Sequence, residues 1–218
     1  MTERPLLIAV AGGSGSGKST LAEALQTRLP AGTVRVVIED AYYGDYGGTP
    51  GFDAATFDFD DVSAKDHDRL ARDLIALRAG ETVEGPVYCF ETHRRKPESE
   101  TLEPAPVIVV EGAHLLCTPD LAALFDLRIF VDTPDDVRFI RRLIRDQKHR
   151  GRTADSVISQ YLATVRPAYL RLIEPSRDLA DIVIQDDCGA VEPPVAPATI
   201  DRLLKAVLAH PLLNRWAA

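Results

Sequence analysis

Residues Gly12-Gly13-Ser14-Gly15-Ser16-Gly17-Lys18-Ser19-Thr20 follow directly on an apolar run at 6–10 and run into Leu21-Ala22-Glu23-Ala24-Leu25, a stretch of good helix formers. They fit G-x-x-x-x-G-K-[ST], a loop that wraps the phosphates of a nucleotide. Glycines let the backbone turn with positive φ and bring consecutive N–H groups close to phosphate oxygens. Lys18 supplies a compact positive charge for the β- and γ-phosphates, and Ser19 offers a hydroxyl to Mg²⁺. The helix that follows points its positive N-terminal end at the same place. By chance the pattern arises in roughly one chain of this length in a hundred. Its strand-before, helix-after setting is the one the motif requires, so an α/β fold follows from this segment.

The rest of the chain agrees. Four further apolar, β-branched runs, at Val34–Ile38, 107–110, 127–131 and, shorter, 182–184, read as strands buried on both faces. Between them lie helical patterns. Ser63-x-x-Asp66 reads as a cap for a helix through Arg78, with Leu70, Leu74, Ile75 and Leu77 inward and Gly80 as its stop. Thr133-Pro134 reads as N-cap and first residue of another, whose apolar positions Val137, Ile140, Leu143 and Ile144 share one face. Thr153 caps a third, carrying Val157, Ile158, Tyr161, Leu162 and Val165. The expected fold is a three-layer α/β domain over 1–218, with a five-stranded parallel sheet and helices on both faces. The stretch 82–105 breaks the alternation and reads as a small β insertion. A Pro-rich linker at 185–197 leads to a last amphipathic helix bearing Ile200, Leu203, Leu204, Val207 and Leu208.

With 45% hydrophobic residues in 218, the chain can bury one substantial core. A net charge of −8 argues against a nucleic-acid footprint. Cys89, Cys117 and Cys188 are too scattered for a disulfide framework or zinc site. No signal peptide or membrane-length apolar run is present, so the expected location is the cytoplasm.

Ligands of open α/β sheets sit at the carboxyl ends of the strands. That rule singles out Ser19, the pair Glu39-Asp40 and Glu111. Asp40 is placed to take a proton from an attacking hydroxyl or to hold a water on the metal; Ser19, Glu111 and Asp40 form the candidate metal set. From Arg138 to Arg152 the charge reverses, with seven basic residues and one acid, Asp146. This run, 138–153, reads as a lid that folds arginines over a transferring phosphoryl group and excludes water.

Together these residues resemble the uridine kinase (uridine–cytidine kinase) family of P-loop kinases. The resemblance runs through the phosphate loop, Asp40-Ala41-Tyr42-Tyr43, Phe52-Asp53, Tyr88-Cys89-Phe90-Glu91-Thr92-His93-x-Arg95 and the stretch 126–133. It continues through Arg141-Arg142 and Arg150-Gly151-Arg152 to Gln160-Tyr161 and Val165-Arg166-Pro167. It implies Asp40 as catalytic base, with Lys18, Arg145, Arg150 and Arg152 acting on the phosphates. It implies Asp53, beside Arg142, and Gln160 as ribose contacts, and Tyr43, Tyr88, Phe90 and His93 as the base pocket. Departures surround the acceptor pocket: Ala54-Ala55 stand where His-Pro is common, Gly51 where Asn is usual, and Cys89 where Asp is common.

The expected activity is Mg²⁺-dependent transfer from ATP or GTP to the 5′-hydroxyl of uridine or cytidine, with a homotetramer implied by the resemblance. Two other readings stay open. One is a kinase of pantothenate or a sugar phosphate, for which Arg94, Arg95 and Lys96 are the available cations. The other is a nucleotide switch; against it, no Asn-Lys-x-Asp motif appears.

Overall fold

The computed structural model describes residues 4–54, 56–186, 195–209, 211 and 213, without the side chain of Leu203. The segment 187–194, which holds Cys188 and most of the expected linker, lies outside the described residues, as does Ala55.

The main sheet has five parallel strands: β1 (Leu6–Ala11), β2 (Val34–Ile38), β5 (Val107–Gly112), β6 (Leu127–Asp132) and β7 (Ile182–Gln185), in the order β2-β5-β1-β6-β7. β1 is apolar and buried at every position because it is covered on both faces. Leu7, Ala9 and Ala11 pack into one core with Leu70, Leu74 and Leu77 of α2 (His67–Arg78). Leu6, Ile8 and Val10 pack into the other with Leu21 and Leu25 of α1 (Lys18–Arg28) and Leu204 and Val207 of α6 (Pro197–Leu208). Each fully buried leucine contributes about 1.5–3 kcal/mol.

The insertion at 82–105 is an antiparallel hairpin of β3 (Val83–Cys89) and β4 (Arg94–Leu102), bent where the register shifts between Pro86 and Tyr88. A one-turn α3 (Pro119–Ala122) follows β5. α4 (Asp135–His149) leads through Arg150-Gly151-Arg152 into α5, a helical run over residues 154–176. α5 opens as α-helix over Ala154–Gln160 and then widens into π-turns at Tyr161–Val165 and Tyr169–Ile173. Each π-turn ends one residue before the pair that brings in a proline, Arg166-Pro167 or Glu174-Pro175. Proline has no N–H and its ring clashes with the carbonyl four residues back, so the helix continues by widening there.

Four local expectations are corrected. Ser63 does not cap α2; it sits in a single turn, Val62–Ala64, capped by Asp61, and Asp66 caps α2 by accepting from Arg69 N–H at 3.0 Å. Ile75 faces solvent, because the inward side of α2 carries Leu70, Leu74 and Leu77, with Ala71 packed beside them. Thr133 does not cap α4: its hydroxyl donates to the Ser16 carbonyl at 3.0 Å, and Pro134 holds the N-cap position. In α5, Val157, Tyr161 and Val165 are buried, while Ile158 and Leu162 are exposed. The capping role of Thr153 and the stop at Gly80 hold. Gly80 (φ +87°) donates to Leu77 O, and Glu81 N–H reaches back to Ala76 O.

Candidate active site

The phosphate loop leaves β1 and enters α1 through glycines that no other residue replaces. Gly17 caps α1 in the left-handed region (φ +91°). Gly15 (φ +82°) lies under α4, where a Cβ would come within 2.3 Å of the Arg138 carbonyl oxygen. Thr133 and Arg138 fasten the loop to the start of α4. The buried Arg138 guanidinium donates to Thr133 O at 3.0 Å, pairs with Asp135 and stacks 3.8 Å from the Tyr169 ring centroid.

Three strand ends converge here. Ser19 Oγ donates to Glu111 Oε1 at 3.1 Å, and Glu111 pairs in register with Val10 and Ile38. Burial raises the Glu111 carboxyl, opposed by the Lys18 ammonium. Burial lowers Lys18, opposed by Glu111 and then Asp40. Asp40 lies in the tight turn Glu39–Tyr42 just past β2. Burial alone would raise its carboxyl, but the ammonium groups of Lys65 and Lys18 bring it down to about 2.

A hydroxyl and one or two carboxylates at a phosphate loop suit Mg²⁺, which takes few protein oxygens and completes its shell with phosphate and water. Among the described residues no group of three or more His, Cys, Asp or Glu side chains could hold a metal by itself.

One cavity of about 500 Å³ joins this end to the acceptor side. Lys18, Asp40, Lys65, Arg142, Arg145 and Arg150 line its phosphate end. Tyr43, Tyr88, Phe90, His93 and Asp60 line the other, along with Arg152 and Gln160. The rings interlock: Tyr43 and Tyr88 centroids are 5.2 Å apart, Tyr88 and Phe90 meet edge-on at 5.2 Å, and His93 stacks on Phe59 at 4.6 Å. Among the described residues the buried Tyr88 hydroxyl has no hydrogen-bond partner. The hairpin carrying Tyr88 and His93 is tied to the sheet side by Arg95, which donates to Tyr43 O at 2.9 Å and Asp66 Oδ2 at 3.1 Å.

The arginines reach the cleft from a helix. Arg138, Arg141 and Arg142 are buried on the inner face of α4, and only Arg150-Gly151-Arg152 lies in the loop after it. Asp146, fully buried, organises them. Its carboxylate lies 2.9 Å from Arg145, 3.6 Å from Arg142 and Arg150, and 4.0 Å from Arg152. Arg142 also donates to Ser14 Oγ and Gln160 Oε1, both at 2.9 Å. Arg152 shares the Gln160 oxygen, and Arg150 stacks over the Phe90 ring at 4.6 Å.

Asp53 is not brought into the cavity. It sits on the exposed loop, where its carboxylate accepts from Thr56. The carboxylate that lines the cavity beside Arg142 is Asp60, which accepts from Thr164 Oγ1 at 2.8 Å and is raised by burial against the pull of Arg142. Lys65, His114, Asp146 and Asp60 were all missed from sequence. Two of them left a trace there: Asp146 is the lone acid in a basic run, and Asp60 closes the third Phe-Asp pair between 52 and 60.

Residues 7–188 match the model of the Phosphoribulokinase / Uridine kinase family. The chain belongs to this family. Among curated relatives, the uridine kinase of Chloroflexus aurantiacus is 42% identical over 211 residues, covering 97% of this chain and all of that one. The uridine kinase of Listeria welshimeri is 42% identical over 186 residues, 85% of this chain and 89% of that one. The phosphoribulokinase structure from Rhodobacter spheroides shares the fold, with a TM-score of 0.59 at 18% identity over 90% of this chain and 76% of that one. As a family member the chain is a kinase that draws on a nucleotide phosphoryl donor, and among the described residues no helix is long and apolar enough to cross a membrane.

Proposed function

We propose that this family member transfers the γ-phosphoryl group of ATP or GTP to the 5′-hydroxyl of uridine or cytidine, giving UMP or CMP. The observation that carries this reading is the single cavity with Lys18 and Asp40 at one end and the Tyr43–Tyr88–Phe90–His93 pocket at the other. A nucleoside bound across it stacks its base among the rings, gives its ribose hydroxyls to Asp60 and Gln160, and directs its 5′-oxygen at the loop. That oxygen forms a bond to the γ-phosphorus as the bond to the β,γ-bridging oxygen breaks, and its proton passes to Asp40. Because Asp40 is held ionised, it first orients the hydroxyl and takes the proton late, as P–O bond formation acidifies it. Bound Mg²⁺ supplies electrostatic stabilisation of the phosphate charge. Lys18, Arg145, Arg150 and Arg152 offset the charge on the equatorial oxygens. The uridine kinase relatives support the nucleoside acceptor. An anionic acceptor is disfavoured because Arg94 and Arg95 are engaged with Asp45 and Asp66 rather than lining the cavity.

The test is ADP release from ATP and Mg²⁺ with uridine, cytidine, deoxycytidine, adenosine, pantothenate and ribulose 5-phosphate. Turnover confined to uridine and cytidine, with kcat lowered about 10²–10⁴-fold in Asp40→Asn, is the expected result. Turnover with pantothenate or a sugar phosphate alone replaces the acceptor, and equal turnover without acceptor replaces the kinase by a nucleotide switch. The homotetramer belongs to the same reading. Ile140 on α4 and Ile158 and Leu162 on α5 are exposed apolar side chains on helices that pack together through Phe139 and Tyr161. Light scattering at a mass near one 23.8 kDa chain would remove it.

A further inference from the structure

Lys65 is buried beneath the site, between two carboxylates. Its ammonium lies 2.6 Å from Glu39 Oε2 and 2.7 Å from Asp40 Oδ1, and 5.0 Å from the Tyr43 ring centroid. The two carboxylates differ in kind. Glu39 is fully buried and fixed from behind, by His67 Nε2 at 2.8 Å on Oε1 and by the His114 N–H at 3.2 Å on Oε2. Asp40 is partly open and lines the cavity. Glu39 alone would neutralise Lys65, so the second contact is not needed to pair the charge. The backbone holds the lysine to the same turn: Tyr43 and Lys65 pair across an isolated bridge, and Asp66 N–H donates to Tyr42 O at 2.8 Å.

We propose that Lys65, anchored on Glu39, is a positioning residue that holds Oδ1 of Asp40 so that the remaining carboxylate oxygen faces the acceptor hydroxyl. This rests on the phosphoryl-transfer reading above. Without the anchor, Asp40 samples other rotamers over its open side, and the hydroxyl loses its aligned partner.

Lys65→Met alone leaves the Glu39 carboxylate buried without its cation and lowers Tm, whatever Lys65 does in the reaction. The double variant Lys65→Met/Glu39→Gln removes both buried charges and lets the amide bond His67 and the His114 N–H. The measurement is Tm, kcat and acceptor KM for the wild type, both variants, and Asp40→Asn with and without the double change, all assayed well below the lowest Tm. The expected result is that the double variant regains Tm over Lys65→Met, while kcat stays down on the order of 10²-fold and acceptor KM moves less than about threefold. In the Asp40→Asn background the same two changes lower kcat no further, because the three residues act as a unit. Recovery of kcat together with Tm overturns the proposal, as does a further fall of the same size in the Asp40→Asn background. Absence of turnover by the wild type with every acceptor overturns the parent reading and this one together, which separates the two failures.

Discussion

At the scale of single residues, the proposed ribose contact falls to the carboxylate that lines the cavity. Asp60 is half-buried beside Arg142 and bonded to Thr164, whereas Asp53 faces solvent. A buried carboxylate that accepts two hydroxyls is left underpaired when one is missing, so it discriminates against deoxyribose. Asp60→Asn is expected to lower kcat/KM for uridine about tenfold or more and to shrink its preference over deoxyuridine; Asp53→Asn should leave that ratio near wild type. The opposite pattern would return the role to Asp53. Phe-Asp occurs at 52–53, 57–58 and 59–60, and a motif repeated three times in nine residues does not say which copy faces the ligand. The fold sets that, placing Asp60 in the cavity lining and Asp53 on the exposed loop. His114 poses a different residue-level problem. Both ring nitrogens are buried without partners among the described residues, and burial pushes its pKa down to about 4. The unfolded chain therefore binds a proton that the folded chain refuses. Stability from this group is full above about pH 6.5 and is lost as pH falls toward 4, at up to about 1.4 kcal/mol per pH unit. Glu39, held low mainly by Lys65 against the effect of burial, adds its own loss only below its ordinary range near 4.5. In thermal melts between pH 4.5 and 6.5, His114→Leu should flatten the acid-side decline relative to wild type; an unchanged slope would assign that decline to other groups.

At the scale of elements, legibility followed the physics each element obeys. All five strands of the sheet could be read within two residues, because a strand covered on both faces is apolar throughout and has no face to misassign. The phosphate loop was equally plain, since its glycines answer to backbone geometry that no other residue satisfies. α4 keeps the spacing the sequence shows but buries its charged side. Val137, Ile140, Leu143 and Ile144 do share a face, but the buried side carries Arg138, Arg141, Arg142 and Asp146. Hydrophobic periodicity assumes that an apolar layer lies opposite the helix. Here the layer opposite is a phosphate cleft, and Arg141 is further held by Asp186 at 2.7 Å and Arg138 by the Tyr169 ring. The same sequence fact, seven cations around one acid, announced the function and concealed the packing. Lys65 left no trace of either kind. A lysine just before a helix cap reads as a surface residue, and only the tertiary meeting of two turns places it between Glu39 and Asp40.

At the scale of the whole molecule, two electrostatic influences oppose each other. The chain carries 33 acidic and 25 basic residues and a net charge of −8, so its distant field repels an anionic donor. Around the cleft Lys18, Arg142, Arg145, Arg150 and Arg152 form a local positive basin, with Asp146 returning part of that charge. Salt separates the two by range and by sign. Screening weakens attraction of a triphosphate to the basin and equally weakens repulsion by the rest, while uridine, being neutral, responds to neither. A donor already close to the mouth of the cleft lies within about 10 Å of the basin at 0.1 M salt, a distance over which the scattered surface acids are largely screened. The basin should therefore dominate. Between about 0.05 and 0.5 M potassium chloride, kcat/KM for the donor at saturating uridine is expected to fall about tenfold, and kcat/KM for uridine at saturating donor to change less than about twofold. A rise in the donor value with salt would mean that the net −8 governs encounter and that the arginines act only after the donor has docked. Parallel falls for both substrates would instead point to salt loosening the Asp146–arginine cluster itself.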